Sequence, residues 1–241
     1  MPHASDCDCI LLAAGLSSRM QGVKMLREID GQPLVRIAAN NALAGCRRVI
    51  LVLGHEADAV RRAAGLPPQV PPTPAQVPPT PDQRLPTPDQ RRPTPGIEAP
   101  GADAAATGRL VPVDNPLFRD GMFGSIQAGM RWVETEWFFV VPGDMPGITP
   151  GLYEAVAREA PASEANGDDA PRAVVPYYGS TRGHPVLIHQ SLIAGLLVEP
   201  RSAGPMRDLI ARHSVRRAQI DDPAIALDVD TDSDYRRITD G

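Results

Sequence analysis

The loop that follows the first apolar run carries residue types that hold phosphate groups. Small residues, Ala13-Ala14-Gly15, begin it, and Ser17, Ser18, Arg19 and Lys24 follow. Backbone amides of such a turn can approach a phosphate closely, while arginine adds a fork of donors and lysine a point charge. The loop therefore predicts a phosphate-binding turn, although it contains neither G-x-G-x-x-G nor a closing Gly-Lys-Ser/Thr. From these residues alone, a tight turn before a basic surface stretch stays open.

Acidic residues give a second chemical signal. Asp144 lies in the turn Pro142–Pro146, directly after an apolar run, and a C-terminal segment contains Asp228, Asp230, Asp232 and Asp234. Mg²⁺ prefers one or two carboxylates together with phosphate oxygens, which Asp144 with Asp228 or Asp230 would supply. Strand-like alternation puts Asp228 and Asp230 on one face, so either one fits. Turn formation is the alternative for Asp144, and we expect Asp232 and Asp234 to be solvated caps.

Histidines and cysteines give weaker signals. His184 lies between Gly183 and Pro185, a rigid turn that could aim an imidazole at a substrate, and an ordinary turn histidine is the alternative. We expect His55 to begin a helix. Cys7 and Cys9 have no nearby second pair of metal ligands in the sequence, so we interpret Cys9 as a core residue and Cys7 as incidental.

Alternating apolar runs and helical patterns indicate the elements that must position these residues. Strands are predicted at about 9–14, 48–53, 110–113, 137–141, 173–176, 185–188 and 215–220, and helices at about 33–44, 125–133, 150–159, 191–197 and 205–213. This order predicts an α/β fold: one doubly wound, Rossmann-like, mostly parallel sheet with helices on both faces and strand 137–141 at its centre. Ligands of such folds bind at the carboxyl ends of the strands, where both the small-residue loop and Asp144 fall.

A proline-rich repeat interrupts this pattern. Pro-Thr-Pro recurs at Pro72, Pro79, Pro86 and Pro93, seven residues apart. Proline at this density favours extended, solvated chain, so we predict a single domain over residues 1–241 with a disordered insertion at about 65–108. A docking site for a partner that reads PxxP is the alternative.

Composition and charge narrow the classes of function. A net charge of −5 without a basic run argues against a nucleic-acid partner. Three cysteines are too few for a disulfide framework and fit a reducing compartment. The longest apolar runs are far shorter than a bilayer-spanning segment, and residues 1–8 do not form a secretory signal, so we expect a cytoplasmic protein without a membrane partner.

Five sequence blocks together resemble a known family. Leu12-Ala13-Ala14-Gly15-x-Ser17-x-Arg19-Met20 followed by Lys24 resembles the signature of the MobA/MocA-like nucleotidyltransferase superfamily, and most closely its molybdenum cofactor cytidylyltransferase branch. Turn 142–146 is similar to that superfamily's metal-binding Asp turn, and 228–235 to its C-terminal acidic element. Blocks 121–125 and 182–185 match the cytidylyltransferase branch. The resemblance covers residues 9–64 and 109–238.

The resemblance implies a fold of the nucleotide-diphospho-sugar transferase type and a role for each site residue. It assigns catalysis to Arg19, Lys24 and Asp144. It assigns binding of the acceptor to Arg182 and His184, and binding of Mg²⁺ to Asp144 with Asp228 or Asp230. The implied nucleotide-binding residues are Leu12, Ala13, Ala14, Gly15, Ser17, Ser18, Arg19, Lys24, Gly121 and Ser125.

The implied reaction is the Mg²⁺-dependent transfer of CMP from CTP to a phosphorylated small molecule, with release of pyrophosphate. Ala14 indicates CTP, because Ala-Ala-Gly is similar to the cytidylyltransferase form and Ala-Gly-Gly to the guanylyltransferase form. Molybdenum cofactor is the implied acceptor, and a molybdoenzyme or its chaperone would be a further partner. The chain departs from the family at Gln21, Ser233 and Tyr235, and at 200–207 in place of Gly-Asp-x-Gly-Ala-Arg.

Three alternatives stay open at this point. The first is a guanylyltransferase or another nucleotidyltransferase with a different phosphorylated acceptor. The second is a non-catalytic carrier or chaperone for molybdenum cofactor. The third is a scaffold whose proline-rich arm is the working part.

Overall fold

The computed structural model describes residues 1–15, 22–68, 108–161, 170–229, 231, 234 and 235. The strands are β1 Asp8–Ala13, β2 Glu28–Ile29, β3 Gln32–Pro33, β4 Arg48–Leu53, β5 Leu110–Asp114, β6 Trp137–Pro142, β7 Ala173–Tyr178, β8 Thr181–Arg182, β9 Val186–His189 and β10 Val215–Gln219. The helices are α1 Leu34–Gly45, α2 Ala57–Ala63, α3 Met122–Met130, α4 Pro150–Ala157, α5 Ile193–Val198 and α6 Met206–Ile210.

Eight strands form the main sheet, in the order β10-β7-β9-β6-β1-β4-β5 with β8 paired to β7. Strand β1 runs parallel to β4 and β6, β5 runs parallel to β4, and β10 runs parallel to β7. Strand β9 runs antiparallel to both of its neighbours. The predicted mostly parallel α/β sheet is therefore confirmed, as is the central position of β6.

Both faces of the sheet are covered, as a doubly wound fold requires. All six residues of β1 are buried, and the five from Cys9 to Ala13 alternate between two core clusters. Leu11 faces the cluster that α1 and α4 contribute to, whereas Ile10 faces the cluster that contains residues of α3, α5 and α6. The three cysteines are buried free thiols of the first cluster, so Cys7 packs there alongside Cys9.

Two helices differ from their predicted bounds by three residues, whereas the other predicted helices agree to within two residues. The helix predicted at about 125–133 begins at Met122, because Gly121 at φ 113° adopts a backbone conformation that favours glycine and ends the preceding turn. The helix predicted at 205–213 covers only Met206–Ile210. Arg212, His213 and Ser214 are polar and exposed, so they gain no burial from extending the helix.

An ionic cluster ties the amino ends of the central strands together. Asp8 is fully buried, accepts hydrogen bonds from Arg48 Nη2 at 2.8 Å and from the Glu134 amide at 2.9 Å, and pairs with Arg47 Nη1 at 3.2 Å. The Thr135 hydroxyl accepts the Asp8 amide at 2.9 Å. This cluster fixes β1, β4 and the start of β6 relative to one another, at the end opposite to the loops predicted to carry the site.

The chain on either side of the proline repeat joins the same sheet. Strand β5 pairs in register with β4, from Val49 opposite Leu110 to Leu53 opposite Asp114. The repeat itself, within 69–107, lies outside the described residues. Among the described helices, none has the length and apolar character needed to cross a bilayer.

Candidate active site

The ends of β1 and β6 approach each other closely at the carboxyl edge of the sheet. The Gly143 amide donates to the Leu12 carbonyl at 2.8 Å. A Cβ at position 143 would lie 3.0 Å from that carbonyl oxygen and 3.1 Å from Met25 Sδ. Glycine at this position therefore lets the Asp144 turn lie directly against the end of β1, where the predicted phosphate loop begins.

Lys24 and Asp144, two of the three predicted catalytic residues, form an ion pair. Lys24 Nζ donates to Asp144 Oδ2 at 2.7 Å, and the two side chains are only 8% and 21% exposed. Lys24 begins a short 3₁₀ turn, Lys24–Leu26, on the far side of the predicted loop. The pair places a positive charge and a carboxylate beside the end of β1.

The second oxygen of Asp144 is a position for a cation. Within the described part of the chain, Asp144 Oδ1 is buried and has no hydrogen-bond partner. Burying an unpaired carboxylate oxygen is costly, and a hard divalent cation is a ligand that removes this cost. The described residues contain no cluster of three or more His, Cys, Asp or Glu side chains, so substrate phosphates and water would complete the ligand set of such an ion. This donor set fits Mg²⁺.

The C-terminal acidic segment reaches the same turn. The Val229 amide donates to the Asp144 carbonyl at 3.0 Å, and the Val229 side chain is fully buried against Ile29 and Leu34. Asp228 is exposed beside this contact, whereas Asp230 lies outside the described residues. The structure thus brings the predicted metal-binding segment to Asp144 through its backbone.

Of the last two acidic residues of that segment, Asp234 hydrogen-bonds to a neighbouring residue and Asp232 is not described. Asp234 Oδ2 accepts the Thr231 amide at 2.9 Å and its hydroxyl at 2.7 Å, which confirms the capping use expected of Asp234. Asp232 lies outside the described residues.

Part of the predicted phosphate loop is described. Ala13 and Ala14 are buried, and the Ala14 carbonyl accepts the His55 amide at 3.3 Å, while Gly15 is exposed. Residues 16–21 lie outside the described residues, so the predictions for Ser17, Ser18 and Arg19 fall there. His55 lies two residues before α2 and does not itself begin that helix.

A polar network at the start of α3 joins the predicted residue Ser125 to two residues that sequence reasoning missed. Asn115 Nδ2 donates to Ser125 Oγ at 2.9 Å, and Arg201 Nη2 donates to Asn115 Oδ1 at 2.8 Å. A Cβ at position 124 would lie 2.8 Å from Arg201 Nη2, so the arginine packs directly on Gly124. The available signals were the location of Asn115 directly after a strand and that of Arg201 in the block departing from the family pattern.

The predicted acceptor residues lie on a separate turn. The His184 amide donates to the Ile225 carbonyl at 2.8 Å. Burial, with a smaller contribution from the Arg182 charge, lowers the pKa of His184 to about 4, so its imidazole is neutral at physiological pH. Burial also lowers the pKa of Arg182. Ile225 belongs to the 3₁₀ turn Pro223–Ala226, which leads to the Val229 contact with Asp144.

Comparison with known proteins assigns the family. The model of the MobA-like NTP transferase domain matches residues 9–83 and 93–218, and the chain belongs to this family of nucleotidyltransferases. It is 24% identical over 231 residues to molybdenum cofactor cytidylyltransferase of Escherichia coli K12, a match covering 96% of this chain and 94% of the relative.

Solved structures agree with the fold. Rv0371c from Mycobacterium tuberculosis H37Rv has a TM-score of 0.66 at 22% identity, with 98% of this chain and 99% of that chain covered. A manganese complex of the same mycobacterial protein has a TM-score of 0.63 at 22% identity, with the same coverage. These likenesses confirm the predicted fold of the nucleotide-diphospho-sugar transferase type.

Proposed function

We propose that this nucleotidyltransferase is a Mg²⁺-dependent cytidylyltransferase that moves CMP from CTP to a phosphorylated small molecule and releases pyrophosphate. Molybdenum cofactor is the proposed acceptor. The observation that carries the proposal is the Lys24–Asp144 pair at the carboxyl edge, which leaves Asp144 Oδ1 available for a divalent ion. The Ala14 form of the loop and the Escherichia coli relative named as a cytidylyltransferase support CTP and the acceptor.

The proposed reaction requires that the phosphate charges be neutralised and that the two substrates be aligned. An oxygen of the acceptor phosphate attacks the α-phosphorus of CTP, and the bond to the bridging oxygen breaks as pyrophosphate leaves with the electron pair. That acceptor oxygen is already ionised at neutral pH, so the enzyme needs neither a general base nor a covalent intermediate. A Mg²⁺ ion held by Asp144 would supply Lewis-acid neutralisation of the phosphate oxygens.

The chain's own residues divide the remaining work. Lys24 holds the Asp144 carboxylate in one orientation and adds a positive charge beside it. We assign triphosphate binding to the amides of residues 13–18 together with Arg19 and Lys24, and further nucleotide contacts to Leu12, Gly121 and Ser125. Arg182 and neutral His184 would bind the acceptor, and Asp228 or Asp230 would be the second carboxylate for the metal.

Further expectations about location, domain organisation and partners belong to the same proposal. The chain works in the cytoplasm, as one nucleotidyltransferase domain in which the proline repeat is an insertion. A molybdoenzyme or its chaperone would receive the product. The manganese complex of Rv0371c supports a divalent ion in this fold.

Nucleotide-dependent thermal stabilisation tests the proposal. Wild type and Asp144→Asn are compared with CTP, GTP, ATP and UTP, each with and without Mg²⁺. Asp58→Asn, which changes an exposed carboxylate in the first turn of α2, is the matched control. A ligand at 100 times its Kd adds about 2.7 kcal/mol, which raises the Tm of a protein of this size by several degrees.

The outcomes separate the candidate functions. The proposal predicts that CTP stabilises selectively, that the effect needs Mg²⁺, and that it weakens in Asp144→Asn but not in Asp58→Asn. Preference for GTP would contradict the cytidylyltransferase assignment and favour a guanylyltransferase. Absence of any nucleotide response would contradict it in favour of a cofactor carrier or a scaffold.

A further inference from the structure

The side-chain amide of Asn115 is held in one orientation by Arg201. An arginine guanidinium has only hydrogen-bond donors, so the Asn115 atom that faces Arg201 Nη2 at 2.8 Å must be the oxygen Oδ1. The amide nitrogen Nδ2 then faces Ser125 Oγ at 2.9 Å and donates to it. The direction of the second hydrogen bond is thus a consequence of the first.

This arrangement fixes what the Ser125 hydroxyl can offer a ligand. Its oxygen accepts from Asn115 Nδ2, and its own proton has no acceptor among the described residues. Ser125 is buried, so a hydroxyl proton without an acceptor there carries a cost that a ligand would remove. Ser125 therefore presents a donor, and the complementary group on a ligand is an acceptor.

The network lies at the edge of the sheet where the nucleotide is proposed to bind. The backbone N–H of Asn115 donates to the carbonyl of Leu53, the last residue of β4, at 2.8 Å. Arg201 is held on the same side of α3 by an ion pair of Nε with Asp120 Oδ2 at 3.2 Å. These contacts bring a residue of the α5–α6 connection to the first turn of α3.

We propose that Arg201 is a positioning residue for nucleotide selectivity: through Asn115 it keeps the Ser125 hydroxyl pointing its proton at an acceptor atom of the bound base. This inference rests on the proposed function, because it deepens the nucleotide site. A cytosine ring offers the neighbouring acceptors O2 and N3. The corresponding edge of guanine offers the donors N1–H and N2–H₂, which a hydroxyl donor disfavours.

An isosteric change at Asn115 separates positioning from simple support. In Asn115→Asp, the carboxylate still accepts from Arg201 but now also accepts from the Ser125 hydroxyl, so the serine proton turns away from the ligand. Arg201→Ala frees the amide to flip, and Arg201→Lys restores a donor-only partner. Arg109→Ala is the control. Like Arg201, Arg109 is held by hydrogen bonds of its side chain, which it donates to the backbone carbonyls of Leu43 and Cys46. It lies near the amino end of β5, far along the strand from the site.

The experiment measures Kd for CTP and GTP by calorimetry, KM and kcat for CTP, and Tm. We expect Asn115→Asp and Arg201→Ala to raise the Kd and KM for CTP about tenfold and to lower the CTP/GTP preference by a similar factor, with kcat changed less. Arg201→Lys should recover part of the preference, and Arg109→Ala should lower only Tm. Asn115→Asp should keep a wild-type Tm.

Two results overturn the inference. If Asn115→Asp keeps the wild-type CTP affinity and preference, Ser125 is not being oriented for the base. If Arg201→Ala lowers Tm but leaves the CTP/GTP ratio unchanged, as expected for Arg109→Ala, Arg201 only supports the fold. A wild type that binds neither nucleotide would instead refute the proposed function, and this inference with it.

Discussion

Acidification should destabilise the protein through His184 by an amount that the structure allows us to calculate. Burial, aided by the charge of Arg182, lowers the pKa of His184 to about 4, against 6.5 for an exposed histidine. Between these two values the unfolded chain binds a proton that the folded protein does not. Stability is therefore lost as the pH falls from about 6.5 to about 4, and above 6.5 His184 contributes no pH dependence. The full loss is about 3 kcal/mol.

Urea denaturation at pH values from 4 to 7.5 measures this loss when wild type is compared with His184→Gln. Carboxylates titrate in both proteins, so the difference between their unfolding free energies isolates the histidine. We expect that difference to change by about 3 kcal/mol, with wild type losing more stability on acidification. His213→Gln, which replaces an exposed histidine, should track wild type.

A difference that stays flat between pH 4 and 6.5 would contradict the lowered pKa of His184, because a histidine that is harder to protonate in the folded protein must cost the protein stability over this range. The same neutral imidazole would be the acceptor-binding group at working pH. A flat profile would therefore also remove the reason to treat His184 as an uncharged hydrogen-bonding group in the proposed site.

Three substitutions separate support of the fold from support of the site. Asp8→Asn should cost about 3–5 kcal/mol in urea denaturation, because it removes the charge of a fully buried carboxylate that is paired with Arg48, yet leave nucleotide preference unchanged. Gly143→Ala should lower the free energy of unfolding by about 1–3 kcal/mol, since its Cβ would press on the Leu12 carbonyl. Turnover should fall as well, because Asp144 is displaced. Lys24→Met should cost about 1–3 kcal/mol and weaken CTP binding measured by calorimetry. Unchanged turnover in Gly143→Ala, or unchanged CTP affinity in Lys24→Met, would contradict the site geometry.

Much of the fold could be predicted because burial on both faces of a sheet leaves a readable pattern. The continuous apolar runs of β1 and β6 predicted two buried strands, and the structure pairs these strands directly with each other. Strand direction is not readable in this way. A short apolar run such as Val186–His189 has the same pattern whichever way it runs, and its antiparallel pairing is set by contacts with β6 and β7.

The same distinction applies to the site. The sequence predicted that the Lys24 loop and Asp144 both lie at the carboxyl edge of the sheet, because each follows a buried strand, whereas their direct contact is seen only in the structure. The Arg201–Asn115 contact joins residues far apart in the sequence, across a helix connection that carries no periodic signal. The burial that lowers the pKa of His184 likewise depends on packing by the distant 3₁₀ turn Pro223–Ala226, and no local pattern predicts it.

Pyrophosphate release measures the proposed reaction itself. Wild type, Asp144→Asn and the control Asp58→Asn are assayed with CTP, molybdenum cofactor and Mg²⁺, and again after the metal is removed by chelation. Wild type and Asp58→Asn should release pyrophosphate only with the divalent ion. Asp144→Asn should lose at least about a hundredfold in turnover, with a smaller loss in CTP binding, because a metal acts mainly on charge in the transition state. Wild-type turnover in Asp144→Asn, or full activity without a divalent ion, would show that Asp144 does not hold a catalytic metal.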